Sequence, residues 1–114
     1  MNTNNHEIDI SALEVQVNAN FLIFSAEINH GNVDELIKVV RDLEDRKPDV
    51  ALCLTTYGGD PDAAFRLASF LQRKYQKLIV YIFGFCKSAG TLIAIAANEI
   101  VMSDFGELGP LDIQ

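Results

Sequence analysis

Two short runs constrain this chain more than anything else in it: VALCLTT, Val50 to Thr56, and KLIVYIF, Lys77 to Phe83. Both are apolar at successive rather than alternate positions, the pattern of strands covered on both faces. Such strands belong inside a parallel sheet, and parallel neighbours need a crossover between them, usually a helix. The intervening segment, YGGDPDAAFRLASFLQRKY, supplies one. Asp60 can cap it, Pro61 suits its first position and Asp62 favours its positive end. Ala64, Leu67, Ala68 and Leu71 then recur on one face.

The alternation extends in both directions. LEVQVNANFLIFSAEI holds two strand-like runs split by the turn signal NAN. NVDE offers Asn32 as a cap with Glu35 at capping-box spacing. Val33, Leu36, Ile37, Val40 and Leu43 follow with helical period, and Pro48 in EDRKPD marks the stop. After KLIVYIF comes SAGTLIAIAA, apolar almost all round and so expected in the middle of the molecule. EIVMS reads as a third short strand, and DFGELGPLDIQ as a Gly/Pro-rich loop. The order β-α-β-α-β-α-β predicts an α/β fold, a mostly parallel sheet with flanking helices and right-handed crossovers. Residues 1–9 read as a flexible tail and residues 10–114 as a single domain. The last loop has no closing helix, so the chain is expected to be the N-terminal part of a longer domain. Its apolar surface would then be covered by another copy, making a homo-oligomer.

Composition excludes several classes. Of the 114 residues, 49% are hydrophobic, enough for a core and too many for disorder. A net charge of −7 argues against nucleic acid or an anionic membrane as the main partner. MNTNNHEIDI has no basic segment leading into an apolar one, and no apolar stretch reaches roughly 18 residues. No secretory signal or membrane span is read, and cytoplasm is the default address. Cys53 and Cys86 fall in apolar, strand-like runs and read as buried thiols rather than a disulfide. They have no ligand-spaced partners, so no metal site and no cofactor are expected.

On a parallel sheet, functional residues gather at the carboxyl ends of the strands. Two loops there carry chemistry. In TTYGGD, Gly58 and Gly59 permit backbone conformations closed to other residues and leave N–H groups unobstructed before the positive end of a helix. Such a loop suits a negative oxygen; the plainer alternative is a tight strand-to-helix turn that needs glycine. In FGFCKSAG, Ser88 follows a buried strand and opens an apolar helix. It can cap that helix, or it can be a nucleophile with space around it from Ala89 and Gly90. The Ala89 N–H, just past the nucleophile position, is placed to face an oxyanion. The motif is not a Gly-x-Ser-x-Gly elbow, because Cys86 stands where that pattern has glycine. Together the two loops form the oxyanion-hole-plus-nucleophile arrangement of acyl transfer.

LTTYGGDPDAA, GFCKSAGTLIAIAANEIVMS and ELGPLDIQ resemble the serine dehydrogenase proteinase family. That family belongs with the Clp proteolytic subunit, the signal peptide peptidases and the crotonases. The resemblance runs from about Asn20 to Gln114; the pairing of KSAGT with ELGPLD is its more specific part, the Gly-Gly loop its general one. It implies the ClpP/crotonase β-α spiral, Ser88 as nucleophile, and the N–H groups of Gly59 and Ala89 as oxyanion donors. A peptide or protein substrate would lie as a strand along Tyr57 and Gly58.

The general base is the open question. The Clp subunit has a histidine after its serine, and FGELGPLDIQ holds none. Signal peptide peptidases use a lysine distant in sequence. Within the chain, Lys87 adjoins Ser88, though neighbouring side chains usually diverge, and a lysine base needs a lowered pKa. His30, in the turn INHGN, and Asp112 are further candidates; Glu107 and Asp104 read as solvated loop charges, and Cys86 as a rival nucleophile aimed elsewhere. The first reading is therefore a serine peptidase. A catalytically inactive oligomeric binding or assembly module, with Ser88 as a helix cap, is the alternative. Crotonase-like acyl-CoA chemistry, which shares the two-donor hole, is the third.

Overall fold

A computed structural model describes residues 18–103 and 106–109. In chain order the elements are β1 (Ala19–Ser25), α1 (His30–Arg41), β2 (Asp49–Thr55), α2 (Pro61–Lys74), β3 (Lys77–Ile82), β4 (Phe85–Cys86), α3 (Ala89–Ala96), β5 (Glu99–Met102) and β6 (Glu107–Leu108). The main sheet is parallel throughout, with strand order β1-β2-β3-β5. β2 lies between two partners, as its two-sided apolar run requires. Its Val50, Leu52 and Leu54 enter the large core with α1, α2 and α3, while Ala51 and Cys53 meet Phe21 and Tyr81 on the opposite face. Among the described residues, the three helices pack into one core on one side of the sheet.

α2 starts as its sequence predicts: the Asp60 side chain accepts the Asp62 N–H at 2.8 Å and Pro61 takes the first helical position. Ala63, Ala64, Leu67, Ala68, Phe70 and Leu71 are buried. α1 starts earlier than expected. Its cap is Asn29, not Asn32: Asn29 is extended (φ −141°, ψ 167°) and its side chain accepts the Asn32 N–H at 2.8 Å. Asn32 instead donates from its side chain to the Glu27 carbonyl. The buried face is the expected one, Val33, Leu36, Ile37 and Val40, with Leu43 falling beyond the helix.

One further expectation needs correction. α3 buries Ala89, Gly90, Thr91, Ile93 and Ala94 but leaves Ile95 62% exposed, so it is covered on one side and not all round. β5 pairs with β3 alone in the main sheet and is exposed along its whole length. The strand-like run before Asn18 lies outside the described residues. Among those described, no helix is long and apolar enough to cross a membrane. Both cysteines are free thiols.

Candidate active site

Beyond their carboxyl ends the strands continue as narrow parallel pairings. Ile28 bridges Gly59, Thr56 bridges Cys86, and β4 pairs with β6 through Phe85–Glu107 and Cys86–Leu108. These ladders bring the loops TTYGGD and FGFCKSAG side by side.

The first loop is built from the buried Thr56 outward. The Gly58 N–H donates to Thr56 Oγ1 at 3.0 Å, which ties the turn to the strand it leaves. The Ile28 N–H donates to the Gly58 carbonyl, and the Asp60 N–H to the Ile28 carbonyl, each at 2.8 Å. In a parallel bridge these bonds come from the residues on either side of Gly59, so the Gly59 N–H points away from Ile28. Among the described residues no acceptor takes it, and Gly59 is exposed. Each glycine has its own reason. Gly58 (φ +117°) lies so close to Ser88 that a Cβ there would be 2.5 Å from Ser88 Cβ and 3.1 Å from its Oγ. Gly59 (φ +144°) has the Ile28 carbonyl where a Cβ would go.

The second loop is a tight turn. The Lys87 N–H donates to the Thr56 carbonyl at 2.9 Å, and the Gly90 N–H returns to the Lys87 carbonyl at 2.9 Å. Between them Ser88 has φ +51° and ψ −122°. Those angles and that four-residue bond define a type II′ turn whose first central position normally belongs to glycine. A serine there stores backbone strain. Its side chain makes no cap bond to α3, so the capping alternative is not what the geometry uses. The half-buried hydroxyl stands beside Gly58, with the Ala89 N–H in the first turn of α3. Gly90 does not serve as open space around the hydroxyl. A Cβ on it would lie 2.5 Å from Thr56 Cγ2 and 2.8 Å from Cys86 Sγ, so it lets α3 close onto the bridge that joins the two loops.

The remaining candidates separate cleanly. Lys87 runs over Gly109, where a Cβ would lie 2.6 Å from Lys87 Cδ. Cys86 is fully buried, and burial pushes its thiol up to about 11, which leaves little thiolate at neutral pH. His30 has Nε2 at 3.3 Å from Asp60 Oδ2 and accepts the Arg66 Nε–H at Nδ1 at 3.2 Å, so both ring nitrogens are engaged away from Ser88. Asp104, Asp112 and the Glu107 side chain lie outside the described residues. Tyr57 is 78% exposed and packs its ring, tilted by 31°, against Phe85 at 4.1 Å between ring centroids, forming one wall of an open cleft of about 220 Å³ with Ser25 to Glu27. Among the described residues no group of acidic, histidine or cysteine side chains is arranged to hold a metal.

Reading the sequence missed Thr56, Ile28 and Gly109. Ile28 is buried among the core residues and supplies the backbone that holds the Gly-Gly loop. Gly109 accepts the Thr91 hydroxyl at 3.0 Å and donates its N–H to the Cys86 carbonyl at 2.8 Å. Both contacts are long-range; for Gly109 the sequence held one signal, the pairing of KSAGT with ELGPLD, which the Thr91–Gly109 bond joins.

Two strand tips bring a serine in a strained turn against a Gly-Gly loop. The family model of the ClpP-like SDH-type serine proteinases matches residues 18–114, and the chain belongs to that family. Two uncharacterized proteins of Methanocaldococcus jannaschii are 35% and 33% identical over 81 residues, 71% of this chain. The chain spans 28% and 27% of their lengths. Among solved structures, a mutant of the 1510-N membrane-bound stomatin-specific protease in complex with a substrate peptide aligns with a TM-score of 0.68. Its identity is 24%, over 84% of this chain and 46% of that one. The ClpP protease catalytic domain from Plasmodium falciparum aligns with a TM-score of 0.61 at 14% identity, over 84% of this chain and 62% of that one. The fold is ClpP-like.

Proposed function

We propose that this chain is the catalytic portion of a serine peptidase, in which Ser88 attacks a peptide carbonyl and the N–H groups of Gly59 and Ala89 receive the oxygen that becomes negative. The observation that carries this reading is the Ser88 turn. A serine held at φ +51° and ψ −122° without a cap bond spends stability to keep its hydroxyl free beside Gly58. Donors fixed in advance where charge develops lower the barrier without reorganising during the reaction. A substrate strand would lie along Tyr57 and Gly58, offering its carbonyl to the outward Gly59 N–H. The general base is either Lys87, which would have to leave Gly109, or a residue outside the described part of the chain. An active-serine probe such as a fluorophosphonate should label the protein at Ser88 and leave Ser88→Ala unlabelled. Labelling that persists in the mutant would remove Ser88 from the mechanism.

A second reading also has an observation behind it: among the described residues no side chain hydrogen-bonds the Ser88 hydroxyl. An inactive assembly module of the same fold would then use the exposed Ile95, Ile100, Val101 and Met102 to bind further copies. Light scattering that finds a defined oligomer, with no probe labelling and peptide cleavage at background, supports this module over the peptidase. A homo-oligomer is expected under either reading.

A further inference from the structure

We propose that His30 is a positioning residue for the Gly59 donor, acting through Asp60; the assignment rests on the peptidase reading of the Gly-Gly loop. The loop leaves Gly59 through Asp60, whose carboxylate is used twice. Oδ1 accepts the Asp62 N–H at 2.8 Å and starts α2. Oδ2 lies 3.3 Å from His30 Nε2 on the first residue of α1. His30 is itself held by Arg66 of α2, which donates from Nε to Nδ1 at 3.2 Å and from its terminal nitrogen to the His30 carbonyl at 3.2 Å. The same terminal nitrogen pairs with Asp34 of α1 at 2.7 Å.

The orientation of the His30 ring follows from the arginine. A guanidinium only donates and does not lose its proton. Its Nε–H therefore uses the lone pair of Nδ1, which turns Nε2 toward the Asp60 carboxylate at ion-pair distance. The chain Asp34–Arg66–His30–Asp60 ties the start of α1 to the residue that follows Gly59. Ile28, two residues before His30, already grips the same loop by backbone bonds. The backbone clamp sets where Gly59 lies, and the side-chain relay limits how the Asp60 end of the loop swings.

His30 and Asp60 are half-exposed, with side chains 52% and 42% accessible. Exposed pairs of this kind contribute little to folding. The relay should therefore show in loop order and in reactivity at Ser88, not in global stability.

The test compares wild type, His30→Ala and His30→Gln, the last keeping an N–H donor near the position of Nε2. Amide hydrogen exchange is followed by NMR at Asp60, whose N–H is bonded to Ile28, and at α1 and α2 core positions such as Val40 and Leu67. Fluorophosphonate labelling of Ser88 is measured in parallel, with Ser88→Ala as control. In His30→Ala the Asp60 amide should exchange about three- to tenfold faster, with the core amides unchanged. Labelling should slow about two- to fivefold. His30→Gln should restore both. Unchanged exchange at Asp60 would overturn the assignment. So would acceleration spread through both helices, which marks a merely structural role, or a failure of Gln to rescue. If wild type takes up no label, the peptidase reading falls by itself, and the exchange comparison still decides whether His30 orders the loop.

Discussion

The two junctions that meet at the candidate site solve the same problem in opposite ways. β2 enters α2 through Gly58, Gly59 and Asp60: the left-handed positions are glycines and the helix has a side-chain cap and a proline start. β4 enters α3 through Lys87, Ser88 and Ala89: the left-handed position is a serine and the helix has no side-chain cap. The first junction uses residues suited to its geometry, while the second imposes on a serine the backbone that glycine prefers. Strain is therefore concentrated at one residue, beside a loop that has almost none.

The comparison breaks most readily at the glycines. Gly59→Ala drives a methyl into the Ile28 backbone and should cost about 2–4 kcal/mol by urea unfolding. Gly58→Ala aims its methyl at Ser88 and should slow fluorophosphonate labelling about a hundredfold. If Gly58→Ala labels at the wild-type rate, the two loops do not work as one unit. Gly90→Ala over-packs against Thr56 and Cys86 and should lose about 1–3 kcal/mol.

Ser88 sharpens the contrast. Ser88→Gly relieves the turn and should gain about 0.5–1 kcal/mol. Ser88→Ala should stay within about 0.5 kcal/mol of wild type, because no cap is lost; a true cap would cost about 0.5–2 kcal/mol. The smallest effect concerns Cys86. Burial raises its thiol above the ordinary value to about 11, so the folded chain holds that proton more tightly than the unfolded chain. Its contribution to stability is complete below the unfolded thiol range and is lost as pH rises through about 11. Iodoacetamide at pH 8 should modify Cys86 only when the chain is denatured, and modification of the native protein would contradict the burial.

What was legible follows the range of the forces involved. The two-sided runs at Val50–Thr56 and Lys77–Phe83 identified interior parallel strands because burial on both faces is written in consecutive residues. α2 was legible for the same reason: Asp60, Pro61 and the Ala64–Leu71 face all act within a few residues of one another. α1 was misplaced by three residues at its start because Asn29 and Asn32 are equally good caps. The choice falls to Asn29, one residue beyond Ile28, whose backbone is held by the distant Gly58. At the site, the residue types stood out in the sequence but their geometry did not. No local rule puts a serine at φ +51°; the ladder through Thr56 and Cys86 and the packing at Gly90 impose it. His30 read as a turn residue, and its place in a relay depends on Arg66, 36 positions later.

β4 is only two residues long, yet it is clamped between Thr56 on one side and Leu108 on the other, with Gly109 fastened to both Cys86 and Thr91. A ribosome must therefore deliver Gly109 before the arm bearing Ser88 has its second wall. Nascent chains halted between those points carry the Ser88 hydroxyl without the second wall of its frame, so the order of synthesis sets when the clasp can shut.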